Sequence, residues 1–160
     1  MRFCPRTILA VEDSADEIFF LQRAFDELGY GPRVYFARDG TEAMEYISGI
    51  GVYGDRARYP LPCVVMTDLK MPVMDGFQLI KWLRQKSSCK EIPVFVLTSS
   101  QLASDTVKAE SCGANGYFQK PAAGGSLPAV LKEMESNWLP HLSACNGNAP
   151  RRCEGFHQEN

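Results

Sequence analysis

The sequence predicts an α/β protein built on a doubly wound, five-stranded parallel sheet. Three observations carry that expectation. Five short, largely apolar runs recur along the chain, a helix-compatible segment follows each run, and none of the runs alternates polar with apolar residues. Strands that are apolar on both faces need cover on both faces, which is the layout of a parallel sheet between two helical layers.

The runs and their partners follow in order. "TILAV" (residues 7–11) ends in acid and reads as a buried strand. Ser14 and Glu17 have the spacing of a capping box, and Ile18, Leu21, Phe25 and Leu28 continue at helical intervals until Gly29 marks a stop. "RVYFA" (residues 33–37) is the second strand, and Asp39 with Glu42 opens a helix carrying Ala43, Met44 and Ile47. Residues 49–62, "GIGVYGDRARYPLP", form a Gly/Pro-rich loop that is long for an α/β connection and is expected to have a task of its own. "CVVMT" (63–67) is the third strand, followed by a helix over about 76–85 with Phe77, Leu79, Ile80 and Leu83 as its apolar content. "VFVLT" (94–98) enters through Pro93 and leads to a weakly patterned helix over about 101–112. "GYFQ" (116–119) is the fifth strand, and Leu127, Val130, Leu131, Met134 and Trp138 share one face of the last helix. We expect one domain over residues 6–139 and a disordered tail over 140–160, where periodicity ends at Pro140.

Composition narrows the class. A chain of 160 residues can bury a sizeable core, and 17 basic against 19 acidic residues leave a formal charge of −2. No strong field argues for nucleic acid or an anionic membrane as partner. Six cysteines, at 4, 63, 89, 112, 145 and 153, form no C-x-x-C pair, which fits neither a zinc site nor a disulfide framework and suits a reducing compartment. The apolar run near the start is short and is broken by Glu12, so no signal peptide or membrane span is expected, and the expected location is the cytoplasm.

Function is read from the strand ends, because ligands of an open parallel sheet bind at the carboxyl edge. The first strand ends in Glu12 and Asp13, the third in Asp68, the fourth in Thr98 and the fifth in Lys120-Pro121. Three carboxylates, a hydroxyl and an ammonium thus reach one edge. Clustered carboxylates repel unless a cation lies among them, and an all-oxygen set favours a hard ion, Mg²⁺. Each residue also has a plainer role. The acid pair could cap a helix, although Ser14 and Glu17 already supply a capping box; Thr98 could merely finish a β-branched strand; Lys120 could be a surface lysine. Asp75 with Gly76 is read as a turn and N-cap, outside the site.

The motifs together are similar to those of the response-regulator receiver domains of two-component signalling. "ILAVEDS" resembles the acidic motif of the first strand, "MTDLKMPVMDG" the phosphoacceptor motif, "VFVLTSS" the switch-hydroxyl motif and "GANGYFQKP" the lysine–proline motif. The resemblance implies a flavodoxin-like (βα)₅ fold with strand order 2-1-3-4-5. It implies Asp68 as phosphoacceptor, with Asp13, Asp68 and the Lys70 backbone carbonyl on Mg²⁺ and Glu12 acting through water. It also implies Thr98 and Lys120 on phosphoryl oxygens, Tyr117 as the aromatic switch partner of Thr98, and a cis Lys120–Pro121 bond. Lys70 and Ser100 stand where the family varies and are expected to tune the lifetime of the phosphorylated state. A histidine kinase would be the donor, and the face of the fourth helix, fifth strand and fifth helix would bind a partner or a second copy. The long loop is similar to that of stand-alone receivers that partner cyanobacterial phytochromes, which implies a phytochrome-type kinase.

Within this class a phosphorelay intermediate or a phosphate sink is the alternative to a protein-binding effector, and none of these is an enzyme beyond its own phosphorylation and dephosphorylation. Two other classes fit less well. A phosphatase with an aspartyl nucleophile needs a second carboxylate two residues on, where this chain has Lys70. A flavin carrier of the same layered fold needs a donor-rich first loop, and "VEDSAD" would repel a flavin phosphate.

Overall fold

The computed structural model describes residues 7–86, 88–122 and 125–142. Five strands, β1 (Ile8–Val11), β2 (Val34–Ala37), β3 (Val64–Thr67), β4 (Val94–Thr98) and β5 (Gly116–Gln119), alternate with helices α1 (Ala15–Glu27), α2 (Gly40–Ser48), α3 (Gly76–Gln85), α4 (Ala103–Cys112) and α5 (Leu127–Leu142). The strands are parallel in the order β2-β1-β3-β4-β5, as the resemblance implied. Ile8 pairs with Val34 on one side and Val64 on the other, so β1 and β3 lie inside the sheet and their carboxyl ends emerge side by side.

Two cores flank this sheet. Leu21, Phe25, Leu131, Met134 and Trp138 from α1 and α5 cover one face, while Ala43, Ile47, Leu79, Ile80, Leu83 and Ala109 from α2, α3 and α4 cover the other. Complete burial of a side chain of this size contributes about 1.5–3 kcal/mol, which is enough to dock each helix against the sheet. The apolar face of α5 is therefore core. α5 continues through Pro140 to Leu142, three residues beyond the expected end at 139. Proline there forfeits one i→i−4 bond to the preceding turn, but so near the helix end its ring has little helix beyond it to kink. The remaining residues of the expected tail, 143–160, lie outside the described residues, as do Arg6, Cys4, Cys145 and Cys153.

The 49–62 loop is anchored rather than loose. It holds a 3₁₀ turn over Gly51–Gly54, and the Arg56 guanidinium donates to the carbonyls of Tyr46 (2.8 Å) and Ile47 (2.7 Å) in the last turn of α2. Tyr35, Tyr46, Tyr53 and Tyr59 pack edge to face or tilted, with ring centroids 5.1–6.3 Å apart, and Tyr46 donates to the Pro60 carbonyl.

The turn after β3 is tight. A Cβ on Gly76 would lie 2.2 Å from the Asp68 carbonyl oxygen, so only glycine lets α3 start directly behind the strand end. Asp75 caps α3 through a full capping box with Gln78, the role read for it in sequence. Val73 carries φ 66°, a left-handed conformation that a β-branched residue rarely adopts, and its side chain is 85% exposed. Left-handed backbone costs a non-glycine residue about 1–2 kcal/mol, while glycine adds back about 0.5–1 kcal/mol of chain entropy. Val73→Gly is accordingly expected to raise unfolding free energy by about 1 kcal/mol in urea denaturation, and an unchanged or lower midpoint would show that the strain is relieved elsewhere.

Candidate functional site

β3 delivers Asp68 to the carboxyl edge as a buried carboxylate, 7% exposed, fixed by the backbone bond from its own N–H to the Val11 carbonyl at 3.0 Å. One carboxylate oxygen accepts the Leu69 N–H at 2.6 Å, and the other accepts from the Lys120 ammonium at 2.7 Å. Lys120 follows β5, and its backbone N–H donates to the Thr98 carbonyl, which fixes its level relative to β4. The same ammonium reaches Glu12 Oε2 at 2.7 Å and also pairs with Glu17. Strands β1, β3 and β5 and helix α1 thus converge on one cation.

Burial and the charge count together explain the titration behaviour. Three carboxylates face one ammonium. Burial, together with the neighbouring Glu17 carboxyl, pushes the Glu12 carboxyl up to about 8 against the pull of Lys120. Burial alone would push the Lys120 ammonium down, but its hydrogen bonds to Asp68, Glu12 and Glu17 outweigh that and hold it above the ordinary lysine value. The site is short of positive charge. Carboxylate oxygens of Glu12, Glu17 and Asp68 lie within 4.8 Å of one another, and an all-oxygen anionic set of this size fits a hard divalent ion.

Glu17 is the functional candidate that sequence reasoning missed. Its spacing from Ser14 was fully explained by a capping box, and only half of that box forms. Ser14 Oγ accepts the Glu17 N–H at 3.4 Å, but the Glu17 carboxylate turns to Lys120, and Glu12 Oε1 takes the Ser14 N–H at 3.2 Å. The ammonium offers Glu17 a charge-assisted bond, stronger than one to a neutral amide, so the capping duty passes to Glu12. Asp13, by contrast, is exposed and stands outside the Glu12–Glu17–Asp68 group. It lines an adjoining cleft of about 420 Å³ with Lys70, Met71, Asp75, Phe77 and Lys108. The Lys70 ammonium pairs with Asp105 at 3.4 Å.

Thr98 is fully buried at the end of β4, where its Oγ1 accepts the Ser100 N–H at 3.2 Å. Tyr117 on β5 packs half-buried against the α2–α3–α4 core, and its hydroxyl donates to the Ser100 carbonyl at 3.4 Å. The two residues expected to act as a pair therefore meet through one loop residue. The Lys120–Pro121 peptide is trans, which corrects the cis bond implied by resemblance. On the other side of Lys120, a cavity of about 520 Å³ opens between α1 and the start of α5, lined by Glu17, Phe20, Leu97, Pro121 and Leu127 among others.

Comparison with known proteins agrees with this geometry. The family model described as "Response regulator receiver domain" matches residues 8–132. The probable methanogenesis regulatory protein FilR2 of Methanothrix harundinacea is 33% identical over 84% of this chain and 84% of its own. Response regulator Rcp1 of Synechocystis is 30% identical over 84% of this chain and 90% of its own, and its Mn²⁺-bound structure matches with a TM-score of 0.69, over 84% of this chain and 95% of that one. The phosphorylated cyanobacterial phytochrome response regulator RcpA matches with a TM-score of 0.75 at 30% identity, covering 84% of this chain and 94% of that one. Sheet order, strand-end chemistry and a family model running from β1 into α5 lead to one assignment: the chain belongs to the response regulator receiver domain family of two-component systems.

Proposed function

We propose that this chain takes a phosphoryl group from a histidine kinase onto Asp68 and thereby switches a protein-binding face. The observation that carries the proposal is the environment of Asp68: a buried carboxylate at a central strand end, oriented by one backbone N–H and paired with a lysine that two further acids also hold. A nucleophile fixed this way needs little further ordering before attack. One Asp68 oxygen forms the new P–O bond while the P–N bond of a phosphohistidine breaks, its electron pair passing to the imidazole nitrogen. The product is an acyl phosphate, a labile modification suited to signalling.

The remaining residues act on charge and position. Lys120 lies where the incoming phosphoryl oxygens would need a cation, and its three present partners are all anions. Thr98 uses its oxygen as an acceptor for Ser100, which leaves its proton to donate to a phosphoryl oxygen. Glu12, Glu17 and Asp68 would hold Mg²⁺, with Asp13 and the Lys70 carbonyl contributing from the adjoining cleft; the ion would neutralise charge on the transferring group. The Mn²⁺-bound form of Rcp1 supports a divalent ion in such a site. Drawing Thr98 toward a phosphoryl oxygen would disturb the Ser100 contact it shares with Tyr117, and so bias the α4–β5–α5 face. Leu102, the N-cap of α4, and Val107 within α4 are exposed apolar side chains that could meet a partner or a second copy. The phytochrome-linked relatives favour a photoreceptor kinase as donor. Among the described residues no helix is long and apolar enough to cross a membrane.

Incubation with Mg²⁺ and a small phosphodonor such as acetyl phosphate is expected to add one phosphoryl mass to the wild type and none to Asp68→Asn. Equal labelling of both would refute the assignment. The raised Glu12 carboxyl supplies a pH test. Its proton is favoured in the folded, metal-free site between its ordinary value of 4.5 and about 8, so in that window a cation must displace it. Mg²⁺ affinity followed by calorimetry is therefore expected to rise from pH 6 to pH 8 in the wild type and to lose most of that slope in Glu12→Gln.

A further inference from the structure

Among the described residues three carboxylates are buried: Glu12, Asp68 and Asp105. The first two belong to the phosphorylation site. Asp105, in the first turn of α4, has no part in the transfer proposed above and corresponds to none of the motifs that carry the family resemblance. Its Oδ2 accepts the Ser100 hydroxyl at 2.5 Å and pairs with the Lys70 ammonium at 3.4 Å. The Ser100 N–H in turn donates to Thr98 Oγ1 at 3.2 Å, and the Ser100 carbonyl accepts from Tyr117 at 3.4 Å. One acid therefore ties the loop after β3, through Lys70, to the loop after β4, through Ser100, one residue-step from both Thr98 and Tyr117.

An acid in the first turn of a helix is favourable on its own account, since it faces the positive end of the helix dipole. That explains an aspartate at this position but neither its burial nor its two side-chain partners; an exposed first-turn acid needs neither. The Ser100 hydrogen bond, aided by Lys70, holds the Asp105 carboxyl below the usual carboxylate range, so the anion persists at neutral pH. The Lys70 side chain is 63% exposed and also lies over the Phe77 ring, with its centroid 5.8 Å away. A long side chain with that much freedom is held in one direction mainly by its counter-ion.

We propose that Asp105 is a positioning residue for the switch: it fixes the Ser100 N–H that orients the Thr98 hydroxyl, and it turns the Lys70 ammonium toward α4. The lifetime part of this proposal rests on Asp68 phosphorylation, while the orientation part does not. Neutralising Asp105 removes the charge-assisted acceptor of Ser100 and releases Lys70. A released ammonium two residues from Asp68 gains most by pairing with the dianionic phosphoryl group, which stabilises the acyl phosphate.

The test uses the full chain with Asp105→Asn, a near-isosteric change chosen to preserve the fold, together with Lys70→Ala, the double variant, and Ser100→Ala. In the unphosphorylated protein, the Thr98 methyl resonance and its χ1-sensitive couplings are expected to shift in both Asp105→Asn and Ser100→Ala. An unchanged Thr98 in Asp105→Asn would overturn the positioning role, whether or not Asp68 is ever phosphorylated. After labelling with acetyl phosphate and Mg²⁺, Asp105→Asn is expected to lengthen the phosphoryl half-life at least threefold, and the double variant to match Lys70→Ala alone. Half-lives within 1.5-fold of wild type, or effects of the two substitutions that simply multiply, would overturn the coupling between Asp105 and Lys70. Failure of the wild type itself to take up phosphate would instead count against Asp68 as acceptor, and the Thr98 measurement would still decide the role of Asp105.

Discussion

The convergence of Glu12, Glu17 and Asp68 on the Lys120 ammonium is the constraint on which the rest of the site depends. Removing charges from water is costly, and such groups stay ionised only when partners replace the lost hydration. Burial, together with the Glu17 carboxyl beside it, outweighs the pull of the one shared ammonium, which is why Glu12 retains a proton into the neutral range. The fold tolerates this imbalance because the same groups are committed to backbone: Asp68 to Leu69, Glu12 to Ser14. In the function proposed here a divalent cation would offset that excess negative charge and so favour the arrival of a phosphoryl group.

The sheet makes that imbalance possible. β1 and β3 are neighbours inside the sheet, so the acids that end them emerge together, and β4 sits between β3 and β5 so that Thr98 lies between Asp68 and Lys120 in strand order. Gly76 then lets α3 begin against the Asp68 backbone, closing the edge behind that carboxylate. Chemistry at the carboxyl edge and packing below it are separable: the two apolar cores could hold many strand-end residues, and the identity of those residues decides what the domain does.

Much of this was legible in the sequence because strand ends and helix starts leave strong local marks. Apolar runs stopping at Glu12, Asp68, Thr98 and Lys120 marked four candidate residues, of which the structure brings Glu12, Asp68 and Lys120 into direct contact, and Asp75 with Gly76 marked a cap and turn. What escaped were contacts set by three-dimensional competition. Glu17 had a sufficient local explanation as a capping partner, and only proximity to Lys120 shows that the carboxylate goes elsewhere. Asp105 lies in a helix of weak apolar pattern, and its burial depends on Ser100 and Lys70 arriving from two other loops. The trans Lys120–Pro121 bond and the continuation of α5 through Pro140 are likewise set by context, since proline's local preferences leave both open.

The central claim is that Lys120 exchanges carboxylate partners for a phosphoryl group on Asp68. A crystal structure of the chain with Mg²⁺ and beryllofluoride, a mimic of the acyl phosphate, tests it most directly. The account predicts a trifluoroberyllate group bonded to an Asp68 oxygen with the Lys120 ammonium on one of its fluorines and Glu17 released. An unmodified Asp68, with Lys120 still shared among Glu12, Glu17 and Asp68, would contradict it.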